Sequence, residues 1–411
     1  MTLCNFQCAR FILYLLTVLM PVIPYHPLTA QEEEAADSRG LGFSISLSPL
    51  NFIHYNRVEG LFIGTHLDFS SERIPGALLH TQLGYGSSSE EWRYSASYEH
   101  AFDLFRYKTL TFSYFDETRT NDLETVKNLE NNMTALLVHE DFRDYYRSKG
   151  GEVRYSYKYK ENIGSDISLG MRKYSPLENT TDWSLFRDDR SFRSNPAIEI
   201  GREVRAAIRI FFDNRDNMYV DANYWEFDAE IENEFKDFKF TGFHLKIRRI
   251  QLGLARQTFI GSFDISARSG TIAEQYLYDL GGIGTLRGYR FKEFSGNARM
   301  RFSADYRFNG DILQLLPFRR IPFYSTLSTG FFFDTGLAWI LENDRKFLPD
   351  NLSDTHINET GSHLRDLKSG SGFSLYMFNN LLRLDFARRL DSGIKSWIIS
   401  LRLLWEPRFN F

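Results

Sequence analysis

The stretch EWRYSASYEHAF, Glu91–Phe102, decides the fold, because its two faces are made of different materials. Trp92, Tyr94, Ala96 and Tyr98 fall on one side, and Arg93, Ser95, Ser97 and Glu99 on the other. A period of two is the signature of a β-strand. The same alternation returns in EVRYSYKYK, where Val153, Tyr155, Tyr157 and Tyr159 oppose Arg154, Ser156, Lys158 and Lys160. In MRFSADYRF, Met300, Phe302, Ala304, Tyr306 and Phe308 oppose Arg301, Ser303, Asp305 and Arg307. In LLRLDFARRL, Leu382, Leu384 and Phe386 oppose Arg383 and Asp385. A soluble sandwich also alternates, but it turns its apolar face to a core. So many strands of about ten residues, greasy on one face and charged on the other, fit a transmembrane barrel with lipid outside and a polar interior.

Composition agrees. Of the 411 residues, 37 are Phe and 22 are Tyr, and hydrophobic residues make up 43%. Mean hydropathy is nevertheless −0.36, so large apolar groups are balanced by polar ones. A formal net charge of −4 gives no basis for general nucleic-acid affinity. No segment past the N-terminus reaches 18 consecutive apolar residues, which excludes helical spans and leaves a closed barrel as the way to cross a bilayer.

The N-terminus reads as a secretory signal over residues 1–30: Arg10, an apolar run from Phe11 to Ile23, then Ala30 at a cleavage point. A short acidic linker, 31–40, follows, and the barrel is assigned to 41–411. Both cysteines, Cys4 and Cys8, precede the apolar run, so the exported chain carries no disulfide and no thiolate metal site. About sixteen strands are expected, from 41–50 to 394–406. If residue 41 lies on the periplasmic side, the long connections 119–149, 175–201, 271–296 and 341–369 all fall outside. GDILQLLPFRRIPF, 309–322, is a longer inner connection able to hold a short helix.

Three local expectations follow. The acidic face of WEFDAEIENEF (Glu226, Asp228, Glu230, Glu232, Glu234) should pair with His244, Lys246 and Arg248 of the next strand. The apolar phase of that next strand flips, from Phe243, Leu245 and Ile247 to Ile250, Leu252 and Leu254, which predicts a bulge near Arg248–Arg249. Leu123, Val126, Leu129, Met133 and Leu136–Leu137 recur at helical spacing, which predicts a solvated helix in an outer loop.

GGIGTLRGYRF, Gly281–Phe291, invites a phosphate-loop reading, but an alternating strand follows it where a helix would be required. No G-x-S-x-G or H-E-x-x-H motif is present; His139, Glu140 and Asp141 stand together in HEDFRDYY without a second histidine. Neither catalysis nor a cofactor is expected.

GGIGTLRGYRF, followed by GNARMRFSADYRF and GFFFDTGLAW, resembles the C-terminal half of the BamA/TamA-type outer-membrane barrel family, also called the bacterial surface antigen family. YNRVEGLFIG at 55–64, FFDNRDNMYVDANYWEFDAEI and GFSLYMFNNLLRLDFARRL are also similar, except that Ala222 stands where Gly is common. The resemblance implies a loop folded back into the lumen, carrying the motif Arg287, Gly288, Tyr289, with Asp334 and Asp305 as acidic partners of the arginine. Phe411 resembles the C-terminal signal read by the barrel-assembly machinery. The resemblance implies the outer membrane of a Gram-negative bacterium, with lipid bilayer as surroundings. It also implies a role in protein insertion, translocation or envelope biogenesis. Family members that insert or translocate proteins carry periplasmic POTRA domains. None is expected here, so a separate periplasmic protein would have to stand in for them and meet the client. Two alternatives stay open: a stand-alone plugged barrel serving as a surface-binding or structural protein or narrow pore, and an outer-membrane hydrolase.

Overall fold

The computed structural model describes residues 41–404, except 47–52, 72–73, 188, 216–222, 254–256, 272, 309–326, 348–357, 379 and 392–396. The signal, the linker, the inner 309–322 connection and Phe411 lie outside these residues. The first strands are β1 (Leu41–Ser46), β2 (Ile53–Asn56), β3 (Gly60–Ser71), β4 (Ala77–Gly86), β5 (Glu91–Ala101) and β6 (Lys108–Arg119). Helix α1 (Asn128–Val138) comes next. Then come β7 (Tyr146–Lys160), β8 (Ile163–Pro176), β9 (Gly201–Asp213), β10 (Tyr224–Lys236), β11 (Phe240–Leu252) and β12 (Thr258–Gly270). The last are β13 (Tyr278–Leu280), β14 (Phe294–Gly296), β15 (Ala298–Phe308), β16 (Ser328–Trp339), β17 (Lys368–Met377), β18 (Leu382–Arg389) and β19 (Trp397–Leu403).

Antiparallel ladders join each strand to the next from β3 to β12, then β12 to β15, and onward to β19. β1 lies along His66–Ser71 of β3 and β2 along Gly60–Ile63, so the two occupy one position in the sheet. β13 and β14 form a separate small ladder inside one connection. The main sheet therefore has sixteen positions. The alternating direction of the strands puts the long connections 120–145, 177–200, 271–297 and 340–367 at one end.

The faces divide as the side chains require. Trp92, Phe112, Leu169, Ile208, Trp225, Phe331 and Ile399 are exposed on the outer face, while Arg93, Asp116, Glu203, Asp264 and Asp385 are buried on the inner one. This inverts the arrangement of a soluble protein and suits a wall with hydrocarbon outside. Among the described residues no helix is long and apolar enough to cross a membrane. Helix α1 touches both β2 and β19, so the sheet curls until its first and last strands flank the same element.

No bulge occurs at Arg248–Arg249: β11 keeps an unbroken register with both neighbours, Tyr224↔Ile250 on one side and Gln251↔Phe259 on the other. The side chains absorb the phase change instead. Ile250 turns inward and is buried, and Arg249 turns outward with its guanidinium 5.1 Å from the exposed Trp225 ring. A long arginine can remain on the outer face near a strand end because its stem lies on apolar surface while its head finds an aromatic ring.

The charge pairing of β10 also differs from expectation. The register sets Glu226 opposite Arg248, Asp228 opposite Lys246 and Glu230 opposite His244, but only the first pair meets as an ion pair, at 3.6 Å. Lys246 reaches Glu124 at 3.1 Å, and His244 bonds Ser266 at 2.8 Å. The acids turn to the preceding strand: Arg205 takes Glu232 at 2.9 Å and contacts Glu230, and Arg209 takes Asp228 at 2.7 Å. Arginine brings a planar fork of five donors that matches carboxylate geometry, which the point charge of lysine and the ring of histidine do not offer.

Helix α1 is shorter than its periodicity suggests and is not solvated on its inner side. Glu130, Asn131 and Ala135 are buried, and Ala135 packs with Tyr55 and Phe192. Leu123, counted in the helical pattern, lies before the helix and is exposed.

Candidate functional site

The 271–297 connection folds against the inner wall. Its core is Leu280, Leu286, Tyr289 and Phe294 packed with Ala338 of β16. Arg287 leaves this core and enters a pair of carboxylates on neighbouring strands. Its Nε and Nη2 donate to Asp334 at 2.6 and 2.7 Å, and its Nη1 and Nη2 donate to Asp305 at 2.7 and 3.1 Å. The Arg287 backbone N–H also donates to Asp334 at 3.1 Å. Its guanidinium lies 3.7 Å from the Phe332 ring centroid. Two forked contacts plus a ring face use the planar cation fully.

Small residues let this loop approach the wall. Gly288 has φ +92°, a conformation that strains any residue with a Cβ. On β17, a Cβ at Gly370 would lie 2.1 Å from the Arg287 carbonyl oxygen. Tyr289 is buried, donates its hydroxyl to the Ser369 carbonyl at 3.1 Å and accepts the Ser369 N–H at 3.1 Å. Arg389 of β18 stacks over the Tyr289 ring at 4.3 Å and donates to the Gly288 carbonyl at 3.1 Å. One loop thus touches β15, β16, β17 and β18.

A second set of ties gathers around helix α1 and the two end strands. Arg57, in the turn between β2 and β3, is fully buried. It faces Asp141 at 3.2 Å and Asp144 at 3.4 Å, and donates to the Asp141 carbonyl at 3.0 Å and to Asn195 at 3.1 Å. Asn195, from the 177–200 connection, also accepts the Tyr145 N–H at 2.9 Å. His139 at the end of α1 meets Asp182 at 3.1 Å. From the last strand, Arg402 forks onto Glu130 of α1 at 2.6 and 2.8 Å and reaches the Thr125 carbonyl at 2.9 Å. A polar cavity of about 510 Å³ lies beside the helix, bordered by Asn56, Glu59, Glu117, Arg119, Asn132 and Tyr145.

Lys292 joins the two sets. Its ammonium lies 2.6 Å from Asp144, 2.8 Å from Asp122 and 2.9 Å from Asp279. Burial alone would lower it, but Asp279, Asp122 and Asp144 hold it above its ordinary value. Asp279 is raised by burial, against the pull of Lys292, while Asp144 is lowered because Lys292, Arg193 and Arg57 outweigh its burial. On the wall between the sets, Glu203 accepts the hydroxyls of Tyr174, at 2.6 Å, and Tyr276, seating the start of the 271–297 connection.

The structure thus brings together Arg287, Gly288, Tyr289, Asp334 and Asp305, while Phe411 lies outside the described residues. Arg57, Asp141 and Lys292 stand in connections, Glu130 on helix α1 and Arg402 on β19, and no motif or spacing links them in the sequence. The YNRVEG stretch, with an arginine between turn residues, was the one hint available.

Sixteen antiparallel positions, an apolar outside and a charged, loop-filled inside define the fold of an outer-membrane β-barrel. The solved structure of BamA from Haemophilus ducreyi lacking POTRA domains 1–3 shares this fold, with a TM-score of 0.52 and 12% identity over 85% of this chain and 69% of that one. CdiB from Acinetobacter baumannii matches with a TM-score of 0.42 and 13% identity, over 85% of this chain and 58% of the other. CdiB from Escherichia coli matches with a TM-score of 0.43 and 11% identity, over 85% and 60%. Residues 33–209 match the model of a family of unknown function, the DUF5686 C-terminal domain. No curated protein matches the sequence.

Proposed function

We propose that the protein is a Gram-negative outer-membrane barrel of the BamA/TamA type, working without catalysis in the insertion or translocation of envelope proteins. Its working part is the region where the first and last strands approach each other. The observation that carries this reading is the double attachment of helix α1. It packs on β2 through Ala135 and Tyr55, and it is held to β19 by the buried Glu130–Arg402 pair. A single inner element that grips both end strands can hold them together or release them. A passive barrel has no need of such an element, because closed ladders alone remove its edges. The 271–297 connection and helix α1, packed against the inner wall, argue against a wide pore.

Paired cysteines, one in Ile53–Asn56 and one in Trp397–Leu403, test the reading in cells that depend on this protein. Oxidation should abolish its support of outer-membrane protein assembly, and reduction should restore it. Full support by the locked barrel would remove the seam mechanism. A large steady conductance of the purified protein in planar bilayers would favour the pore instead.

A further inference from the structure

β3 and β4 carry a group of side chains with no part in the loop attachments. His66 and Asp68 are two residues apart on β3, so both face inward, and the register sets His80 of β4 directly opposite Asp68. This is the shortest way for a sheet to converge three ligating groups: one i, i+2 pair and one cross-strand partner. His66 Nε2 lies 2.6 Å from Asp68 Oδ1, and His80 Nδ1 lies 2.5 Å from the same oxygen. The ligand atoms of all three residues lie within 4.8 Å of one another.

The pairing is unusual for this wall. Other inner carboxylates meet guanidiniums: Asp264 lies between Arg299 and Arg301, Glu232 between Arg205 and Arg268. Asp68 has two imidazoles instead. Both ring nitrogens meet the same carboxylate oxygen, and among the described residues no guanidinium or ammonium pairs with Asp68. A divalent ion would replace these two hydrogen bonds, the ligand atoms moving apart to hold it at about 2.0–2.2 Å each.

We infer that His66, Asp68 and His80 form a binding site for a divalent transition-metal ion of the zinc type. Two imidazoles and one carboxylate suit such ions in the Irving–Williams series, and not calcium or magnesium, which demand oxygen ligands. Three protein ligands leave a fourth position open to interior water or to an incoming group. The bound ion would staple β3 to β4, one strand away from the first strand, because Asp68 also stands opposite Ser44 of β1. The site is independent of the seam mechanism above and holds whether or not that mechanism does.

The test is titration of tag-free, folded protein in detergent with Zn²⁺, followed calorimetrically, and with Co²⁺, followed by visible absorption. One equivalent should bind at pH 7.5, with a cobalt spectrum typical of nitrogen and oxygen ligands. Binding should weaken at least tenfold at pH 5.5, because protons compete with the metal for the ligand atoms. His80→Gln and Asp68→Asn should each weaken it by a factor of ten or more while the heat-modifiable gel shift of the folded barrel persists. Absence of saturable binding by the wild-type protein at 100 μM metal, on the order of the weakest site worth calling specific, would overturn the inference. So would one-equivalent binding unchanged in a His66→Gln, His80→Gln double variant. Diethylpyrocarbonate modification of wild-type protein reads the same point without any variant: Zn²⁺ should protect His66 and His80, and equal modification with and without metal would count against the site.

Discussion

Arg287 and Arg57 are both buried on the inner side of the barrel with two carboxylates in reach, yet they are held differently. Burial pulls both guanidiniums down. At Arg287 the attraction of Asp334 and Asp305 overcomes it and holds the cation well above its ordinary value. At Arg57 burial wins, and the attraction of Asp141 is partly cancelled by neighbouring Arg193. Geometry explains the difference. Arg287 makes forked contacts with both carboxylates at 2.6 to 3.1 Å, with a ring beneath it. Arg57 faces its carboxylates at 3.2 and 3.4 Å, and its Nε has no partner among the described atoms. The first is a fixed clamp on β15 and β16. The second, beside the end strands, is a tie that costs more to keep and less to undo.

The sharpest way to break this comparison is to remove the stronger member. Arg287→Ala leaves Asp305 and Asp334 facing each other without a cation and should destabilise the loop and its wall by roughly 3–5 kcal/mol. The expected readout is loss of the heat-modifiable gel shift at a lower temperature, with new protease cleavage within residues 281–296. Arg287→Lys should recover only part, since an ammonium offers neither two parallel N–H donors to each carboxylate nor a flat face to Phe332. Unchanged mobility for Arg287→Ala would end the description of this residue as a clamp.

Arg57→Leu should cost less, about 1–3 kcal/mol. Asp141 would keep hydrogen bonds from Asn131 and Tyr145, both at 3.0 Å, so its charge would not be stranded. The effect should be local: faster amide exchange in helix α1, with exchange in β15 and β16 unaltered. Glu130→Gln should loosen the same helix from the other strand. If Arg57→Leu proves as costly as Arg287→Ala, the two anchors are equivalent and the releasable character of the first is wrong.

The two anchors also differ in how far the sequence showed them. The Arg287 cluster is carried by short motifs, LRGY and FFDTG, in which residue type and spacing travel together. Alternation alone put Asp305 and Asp334 on the inner face. The Arg57 tie is assembled from three separate segments, at Arg57, at Asp141 and Asp144, and at Asn195, and no period links them. The strand count and the end at which the long connections gather were legible because period two survives in most spans, such as Glu91–Ala101 and Ala298–Phe308. The phase of β11 was misread because alternation assumes that an arginine never faces outward, and Trp225 supplies the surroundings that allow Arg249 to do so. The inner face of α1 was missed because two of its three buried residues, Glu130 and Asn131, are polar and lie outside the apolar stripe that marks the helix.

Acidity offers the finest test, because it acts on the carboxylates of the Lys292 junction between the two regions. The Lys292 pKa is raised, so its contribution is complete below its unfolded value of about 10.4 and is lost only as pH rises through the folded value. The Asp144 pKa is lowered, so its contribution is present above about pH 4 and is lost as pH falls through its folded value. Asp279 runs the other way: raised by burial, it takes up a proton first, and doing so relieves the folded state. The junction should therefore hold steady from neutral pH down to the range where Asp279 titrates, then loosen once Asp144 follows. Amide exchange across 120–145, corrected for the intrinsic dependence on pH, should show that delayed acid loosening. Asp144→Asn should remove it by weakening the junction at every pH, while Asp279→Asn should leave the acid limb in place. An acid limb that survives Asp144→Asn would assign the pH response to carboxylates elsewhere on the wall.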